Sequence, residues 1–189
     1  MALVRTFVAI ECSDHLRSAC GSAIDALDKV ISEVRWVRPD DIHLTLKFLG
    51  EVEDRELHSV CRKVGEATQT VSKFDVSCSS IGAFPSVERP GTIWVDVIDT
   101  NDHMMELQQK VAQSLTDLGF PIERRPFKPH LTLGRTRSRN SGNPEWLKAV
   151  EKNANRDFGL LSVNEVVVFS SELERKGPIY TALARCPLA

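Results

Sequence analysis

His43-Leu44-Thr45-Leu46 lies in the first quarter of the chain and recurs unchanged as His130-Leu131-Thr132-Leu133. Two of the five histidines therefore open identical strings. Each string sits in a run that reads as a β-strand, where side chains alternate faces with a period of two. His43 and Thr45 then share one face and Leu44 and Leu46 the other, and the second copy divides in the same way. The leucines can hold each strand to a core while histidine and threonine face a common space. Two such strands facing one another across a cleft bring two imidazoles to one reacting group.

The flanking segments supply the rest of a fold. Leu3 to Glu11 reads as a strand rich in Val, Ile and Phe. Ser13 or Asp14 caps a helix whose apolar residues Leu16, Cys20, Ala23, Ile24, Leu27 and Ile31 recur at helical spacing. Val34 to Val37 is a short extended piece, Pro39-Asp40-Asp41 a turn, and Ile42 to Gly50 the first motif strand. Asp54 caps a second helix that buries Leu57, Val60, Cys61 and Val64. Phe74 to Ile81 alternates as a strand, which Gly82-Ala83-Phe84-Pro85 breaks. Glu88-Arg89-Pro90-Gly91 signals a turn before a strand from Thr92 to Ile98.

Asn101 or Asp102 caps a third helix with the stripe Met104, Leu107, Val111, Leu115 and Leu118, and Gly119 stops it. Pro121, Pro126 and Pro129 keep the next stretch irregular. The second motif strand runs from His130 to Thr136, and Ser138 to Gly142 is a polar loop. Asn143-Pro144 opens a short helix. Phe158 to Phe169 is one strand or two, Glu174 to Pro178 a hairpin turn, and Ile179 to Arg185 the closing strand. A strand-helix-strand pattern thus surrounds each motif. It predicts an α+β fold: one bilobal domain over residues 1–189, with motifs at 43–46 and 130–133. Each lobe is a mostly antiparallel sheet with helices outside, and the cleft lies between the lobes.

Composition narrows the function. Of 189 residues, 42% are hydrophobic and 26% charged, as in ordinary globular proteins. There is no apolar run of about eighteen residues, so no membrane span is expected. The apolar N-terminus lacks a basic leader and reads as a buried strand. The five cysteines are widely spaced with no C-x-x-C pair, which predicts reduced thiols, a cytoplasmic protein and no zinc ribbon. A net charge of −2 gives no global nucleic-acid signature. Locally, Arg124, Arg125, Lys128, Arg135, Arg137 and Arg139 bracket the second motif with no acid among them. Beside His130 this run reads as an anion-binding rim.

Histidine has the side chain whose ordinary pKa lies nearest neutrality. Two imidazoles flanking one atom can hold opposite protonation states, one giving a proton to a leaving group while the other takes one from the nucleophile. A threonine on the same face offers a hydroxyl to a phosphoryl oxygen. These are the parts that metal-free phosphodiester cleavage requires. Strict alternation places Lys47 on the His43 face as a positive charge, Gly134 at the matching position of the second strand, and Arg135 and Phe48 on the leucine face. Phe84 and Phe127 flank loops near the cleft and can stack on a base or pack in the core. Neither motif is followed by a carboxylate or cysteine at ligand spacing, so no metal is expected.

These segments also resemble a known family. Arg5-Thr6-Phe7-Val8-Ala9-Ile10, Val34-Arg35-Trp36-Val37, the extended motif from His43 to Gly50, Gly82-Ala83-Phe84-Pro85, the run from Arg125 to Leu133 and the segment from Tyr180 to Leu188 are all similar to the two-histidine phosphoesterase superfamily. Within it they resemble the RNA 2′,3′-cyclic phosphodiesterase branch, also called the 2′-5′ RNA ligase family. The resemblance implies a pseudo-twofold bilobal fold, no cofactor, and hydrolysis of RNA 2′,3′-cyclic phosphate ends to 2′-phosphates. It implies that His43 is the proton donor, His130 the proton acceptor, and Thr45 and Thr132 the holders of the non-bridging oxygens. Arg135 matches an arginine after the second motif and is carried over as substrate-binding, beside Lys47 and Phe127. The order of acid and base rests on the resemblance alone, because the two tetrapeptides are identical. A monomer acting on RNA is expected, with 2′-5′ ligation as the reverse reaction. The alternatives are a silent RNA- or nucleotide-binding module and a phosphodiesterase for 2′-5′ oligonucleotides.

Overall fold

The computed structural model describes residues 2–137, 143–174 and 177–189. The loop expected at 138–142 and the hairpin residues Arg175 and Lys176 fall outside them. In chain order the elements are β1 (Leu3–Glu11), α1 (Asp14–Leu27), β2 (Val34–Trp36), β3 (His43–Glu53), α2 (Asp54–Thr68), β4 (Phe74–Pro85) and β5 (Pro90–Ile98). Then follow α3 (His103–Ser114), β6 (His130–Thr136), α4 (Pro144–Lys152), β7 (Asp157–Val163), β8 (Glu165–Glu174) and β9 (Gly177–Pro187). Single 3-10 turns at Pro39–Asp41 and Thr116–Leu118 precede β3 and follow α3.

The strands join in the order β7-β4-β5-β6-β3-β1-β8-β9, with β2 paired to β6. Every pairing is antiparallel. The two lobes are the halves of this path. One lobe holds β3, β1, β8 and β9 with α2 and α3 packed on it, and the other holds β6, β5, β4 and β7 with α1 and α4. They meet through the single register pair Leu44↔Leu131. The halves are pseudo-twofold related, and the motif strands β3 and β6 lie on either side of the axis. The lobes are not the sequence halves, because β8 and β9 return to pair with β1.

Local chemistry explains most boundaries. The Ser13 hydroxyl accepts from the Leu16 N–H at 3.3 Å, and the Asn143 side chain accepts from the Trp146 N–H at 2.8 Å with proline at the first helical position. Two caps differ from expectation. Asp54 is the first residue of α2 rather than its cap, where its charge faces the positive end of the helix dipole. Asp102, one of the two residues expected there, is the N-cap of α3 but makes no side-chain capping bond. Asp99 ties the helix instead, its carboxylate accepting from Met104 N–H at 2.6 Å and Asn101 N–H at 3.2 Å. Strand β4 does not break at Gly82. A bulge at Ser80, with φ 62°, absorbs the irregularity, and pairing with β5 continues to Pro85.

The main core lies between the sheet and the helices, built on Val8, Ile10, Leu44, Leu131, Ile93 and Val168 with Leu16, Met104, Leu107 and Trp146 from the helices. A second, smaller cluster of Phe7, Ala9, Val167 and Phe169, with Tyr180 against it, lies on the other face of β1 and β8. That face is the one the motif histidines occupy.

Candidate active site

In both motif strands the residue after threonine is a bulge. On β3, Ala9 pairs with Thr45 and Val8 with Lys47, which leaves Leu46 as the extra residue. On β6, Trp94 pairs with Thr132 and Ile93 with Gly134, which leaves Leu133 extra. The freed carbonyls are satisfied: Leu133 O accepts from the Val37 N–H at 2.8 Å and Leu46 O from the Gln108 amide at 3.4 Å. A bulge places two successive residues on one face and inverts the alternation beyond it.

This inversion corrects the expected placements of Lys47, Phe48 and Arg135. Lys47 does not continue the His43 face. Its side chain is 2% exposed on the core side, and its ammonium donates to Pro121 O at 2.7 Å and Glu123 at 2.9 Å. It therefore holds the chain leading to the second motif and does not line the cleft. Phe48 is not core: it is 62% exposed on the histidine side, with its ring centroid 6.2 Å from Phe7. The bulge at Leu133 likewise turns Arg135 to the histidine face, where its guanidinium donates to the Thr92 hydroxyl at 3.2 Å. Gly134 then lies beneath Trp36 and Val34 of β2, so the room it leaves is filled. Phe127 packs against the main core.

Register brings the motifs together. Continuing the Leu44↔Leu131 pair by one residue either way sets His43 opposite Thr132 and Thr45 opposite His130. Each imidazole is fixed by the same bond. His43 Nδ1 lies 2.7 Å from Asp41 O and His130 Nδ1 lies 2.7 Å from Lys128 O. A carbonyl only accepts, so Nδ1 carries the proton in both rings and Nε2 is the titrating atom. His43 stacks on Phe7 at 5.0 Å with the Tyr180 ring edge-on at 5.4 Å. His130 has the Phe84 ring edge-on at 5.2 Å and Trp94 at 6.4 Å. Phe84 therefore belongs to the site wall, and so does Trp94, whose ring lies over Gly82 where any Cβ would collide with it.

Burial lowers the pKa of both histidines, and the charges beside them are mixed, mostly acidic at His43 and mostly basic at His130. For His43, the Asp41 carbonyl and the carboxylates of Asp41 and Glu11 oppose the fall, and Arg17 adds to it. For His130, the Lys128 carbonyl and Asp96 oppose the fall, while Arg135 and Lys128 deepen it. The Lys128 ammonium sits 4.2 Å above the Trp94 ring and 5.5 Å from Phe84. A recess of about 100 Å³ beside His43 is walled by Glu11, Arg17, Asp41, Phe169 and Tyr180, and His130 does not line it. Burial also pushes the thiols of Cys20 and Cys78 up to about 12, which keeps them protonated and unreactive.

Among the described residues no three His, Cys, Asp or Glu side chains gather in metal-binding geometry. No described helix is long and apolar enough to cross a membrane. Sequence reasoning misses Phe48, Trp94 and Tyr180. The first two depend on bulge and register, and Tyr180 reaches His43 only because β9 returns to β8.

A bilobal antiparallel sheet that offers one His-x-Thr pair from each half to a shared face is the architecture of the two-histidine phosphoesterases. The family model described as LigT like phosphoesterase matches residues 13–94 and again 95–180. The chain belongs to that family. A relative from Archaeoglobus fulgidus named RNA 2′,3′-cyclic phosphodiesterase is 34% identical over 180 residues, covering 95% of this chain and 98% of its own. One of the same name from Methanothermobacter thermautotrophicus is 29% identical over 178 residues, covering 94% and 95%. Among solved structures, TT0787 of Thermus thermophilus superposes with a TM-score of 0.80 at 25% identity, covering 97% of each chain. E. coli LigT complexed with 3′-AMP shares the fold with a TM-score of 0.77 at 24% identity, covering 100% of this chain and 99% of its own.

Proposed function

We propose that this chain, as one bilobal domain over residues 1–189, hydrolyses RNA 2′,3′-cyclic phosphate ends to 2′-phosphomonoesters by acid–base catalysis between its two histidines, without a metal. The observation that carries the reading is the matched pair of Nδ1–H···O=C bonds at 2.7 Å, which leaves the Nε2 atom of each ring for proton transfer, on two strands that the Leu44↔Leu131 pair sets side by side. Relatives that carry the name RNA 2′,3′-cyclic phosphodiesterase support the substrate. One chain supplies both histidines, so a monomer is sufficient.

In the proposed reaction the neutral His130 Nε2 removes a proton from water as the water oxygen bonds to phosphorus. The bond from phosphorus to the 3′ oxygen breaks in line, and the imidazolium of His43 gives its Nε2 proton to that oxygen. The Thr45 and Thr132 hydroxyls donate to the non-bridging oxygens, where negative charge builds up. Arg135 adds a cation on the same face, and the exposed Phe48 ring gives a base a surface to stack on. Burial lowers both pKa values. Against it Asp41 and Glu11 favour the charged form of His43 while Arg17 opposes it. Arg135 and Lys128 favour the neutral form of His130 while Asp96 opposes it, and the order of acid and base is proposed on that difference. With an RNA 5′-hydroxyl in place of water, the same proton transfers in the same direction give a 2′-5′ linkage: His130 takes the hydroxyl proton as the 5′ oxygen bonds to phosphorus, and the 3′ oxygen leaves with the proton of His43.

The test is incubation of an oligoribonucleotide ending in a 2′,3′-cyclic phosphate with EDTA-treated protein. Quantitative conversion to the 2′-phosphate end is expected. Binding without turnover would instead make the chain a silent nucleotide-binding module, and a 3′-phosphate product would reverse the geometry of attack.

A further inference from the structure

Strand β2 fills the fork where β3 and β6 diverge, and its middle residue meets a like charge there. Arg35 is the direct antiparallel partner of Arg135. Like charges directly opposed across strands are unfavourable. Both side chains are exposed, and neither guanidinium pairs with a carboxylate among the described residues. Val34 and Trp36 turn to the core side, closing over Gly134 at 2.7 and 2.6 Å from where its Cβ would stand, so Arg35 between them turns to the histidine face. The bulge at Leu133 sends Arg135 to that face too. Tyr180 marks the convergence. Burial and then Asp41 push its hydroxyl pKa up, while the guanidiniums of Arg5, Arg135 and Arg35 push it down. Its ring stands edge-on to His43.

We propose that Arg35, together with Arg135, forms a second anion site that holds a phosphodiester upstream of the reacting end, so that the cleft takes the terminus of an RNA chain in preference to a cyclic mononucleotide. The inference rests on the reading above for where the reacting phosphate sits, and it extends that reading to the substrate's length. Guanidinium is the group suited to it, with planar paired donors that match phosphate oxygens and a charge that persists at any working pH. An anion between the two side chains offsets the repulsion between them. Strands in a sheet lie about 5 Å apart, so two long side chains on neighbouring strands can close on one phosphate.

The experiment compares kcat/KM for a short oligoribonucleotide 2′,3′-cyclic phosphate with that for a 2′,3′-cyclic mononucleotide, in wild type, Arg35→Gln and Arg35→Lys. The oligonucleotide-to-mononucleotide ratio should fall about tenfold in Arg35→Gln, the scale of one charge-assisted hydrogen bond, and recover in part in Arg35→Lys. An unchanged ratio overturns the proposal. A second arm needs no turnover: fluorescence anisotropy with an oligoribonucleotide already ending in a 2′-phosphate. Arg35→Gln should weaken binding and lower the slope of log affinity against log salt by about one. Equal affinity and slope overturn the proposal. A wild type that turns over neither substrate sinks the catalytic reading and leaves this arm to judge Arg35 alone.

Discussion

Asp41 and Lys128 occupy equivalent places in the two lobes, each accepting the Nδ1–H of the histidine two residues on at 2.7 Å, yet they carry opposite charges. The two motifs are the same in sequence and nearly the same in geometry, so this pair is a main source of the difference between them. Asp41→Asn removes a carboxylate that favours the His43 imidazolium, so the His43 pKa should fall further and the basic limb of the kcat/KM profile should move to lower pH. Lys128→Gln removes an ammonium that opposes protonation of His130, so that pKa should rise and the acid limb should move to higher pH. Both changes narrow the bell. Because the limbs belong to a coupled pair, the check is NMR titration of the two imidazoles beside the rate profile.

Stability should follow the same groups. Both histidines have folded pKa values below their ordinary 6.5, with burial the largest cause. The unfolded chain therefore binds more protons in the window just below that value. Their contribution is present above it and lost as pH falls through the folded values. Tm should decline on acidification through this window, and the decline should be shallower in His43→Gln. An equal slope in the two proteins would assign the loss to other groups.

Gly134→Ala tests the packing of β2 on β6. The added methyl would meet Trp36 Cε3 at 2.6 Å and Val34 Cγ1 at 2.7 Å. Overpacking of this kind costs about 1–3 kcal/mol, and each kcal/mol lowers Tm by about 2–4 °C at this chain length. Thermal denaturation followed by circular dichroism reads it directly. An unchanged Tm would mean that β2 sits less tightly on Gly134.

Lys47 and Phe48 are neighbours with opposite consequences. Lys47→Met removes a buried cation from the far side of the sheet, so Tm should fall while KM for a cyclic-phosphate oligonucleotide stays within about twofold. Phe48→Ala should leave Tm nearly unchanged and raise KM about tenfold, since stacking one base contributes about 1–3 kcal/mol. Steady-state kinetics beside a melting curve separates the two. The reverse pattern would restore Lys47 to the cleft.

These variants also mark how far the sequence can be read. Alternation places His43, Thr45, His130 and Thr132 on one face because the strands are regular through the threonines. It fails one residue later in both copies. Nothing in Leu46 or Leu133 announces a bulge; each is an ordinary core leucine, and only the paired strand reveals the extra residue. Gly134 is the one signal, a residue without a side chain where a neighbour packs close, although alternation alone makes it look like open space. The lobes are legible from the repeated strand-helix-strand pattern. Their composition is not, because the return of β8 and β9 to β1 is a long-range pairing that no local pattern encodes. Asp99 is not legible as the tie for α3 because it stands outside the usual capping position.

The division of labour between His43 and His130 is the centre of the proposed mechanism, and a change of leaving group tests it most directly. Loss of either imidazole should lower kcat on the ordinary substrate by about 10²–10⁴-fold. A cyclic substrate with sulphur in place of the 3′ oxygen departs without needing a proton. On that substrate His43→Ala should recover most of the wild-type rate, whereas His130→Ala should stay slow because water still has to be activated. Recovery of His130→Ala instead would exchange the two roles, and recovery of neither would contradict acid catalysis by these histidines altogether.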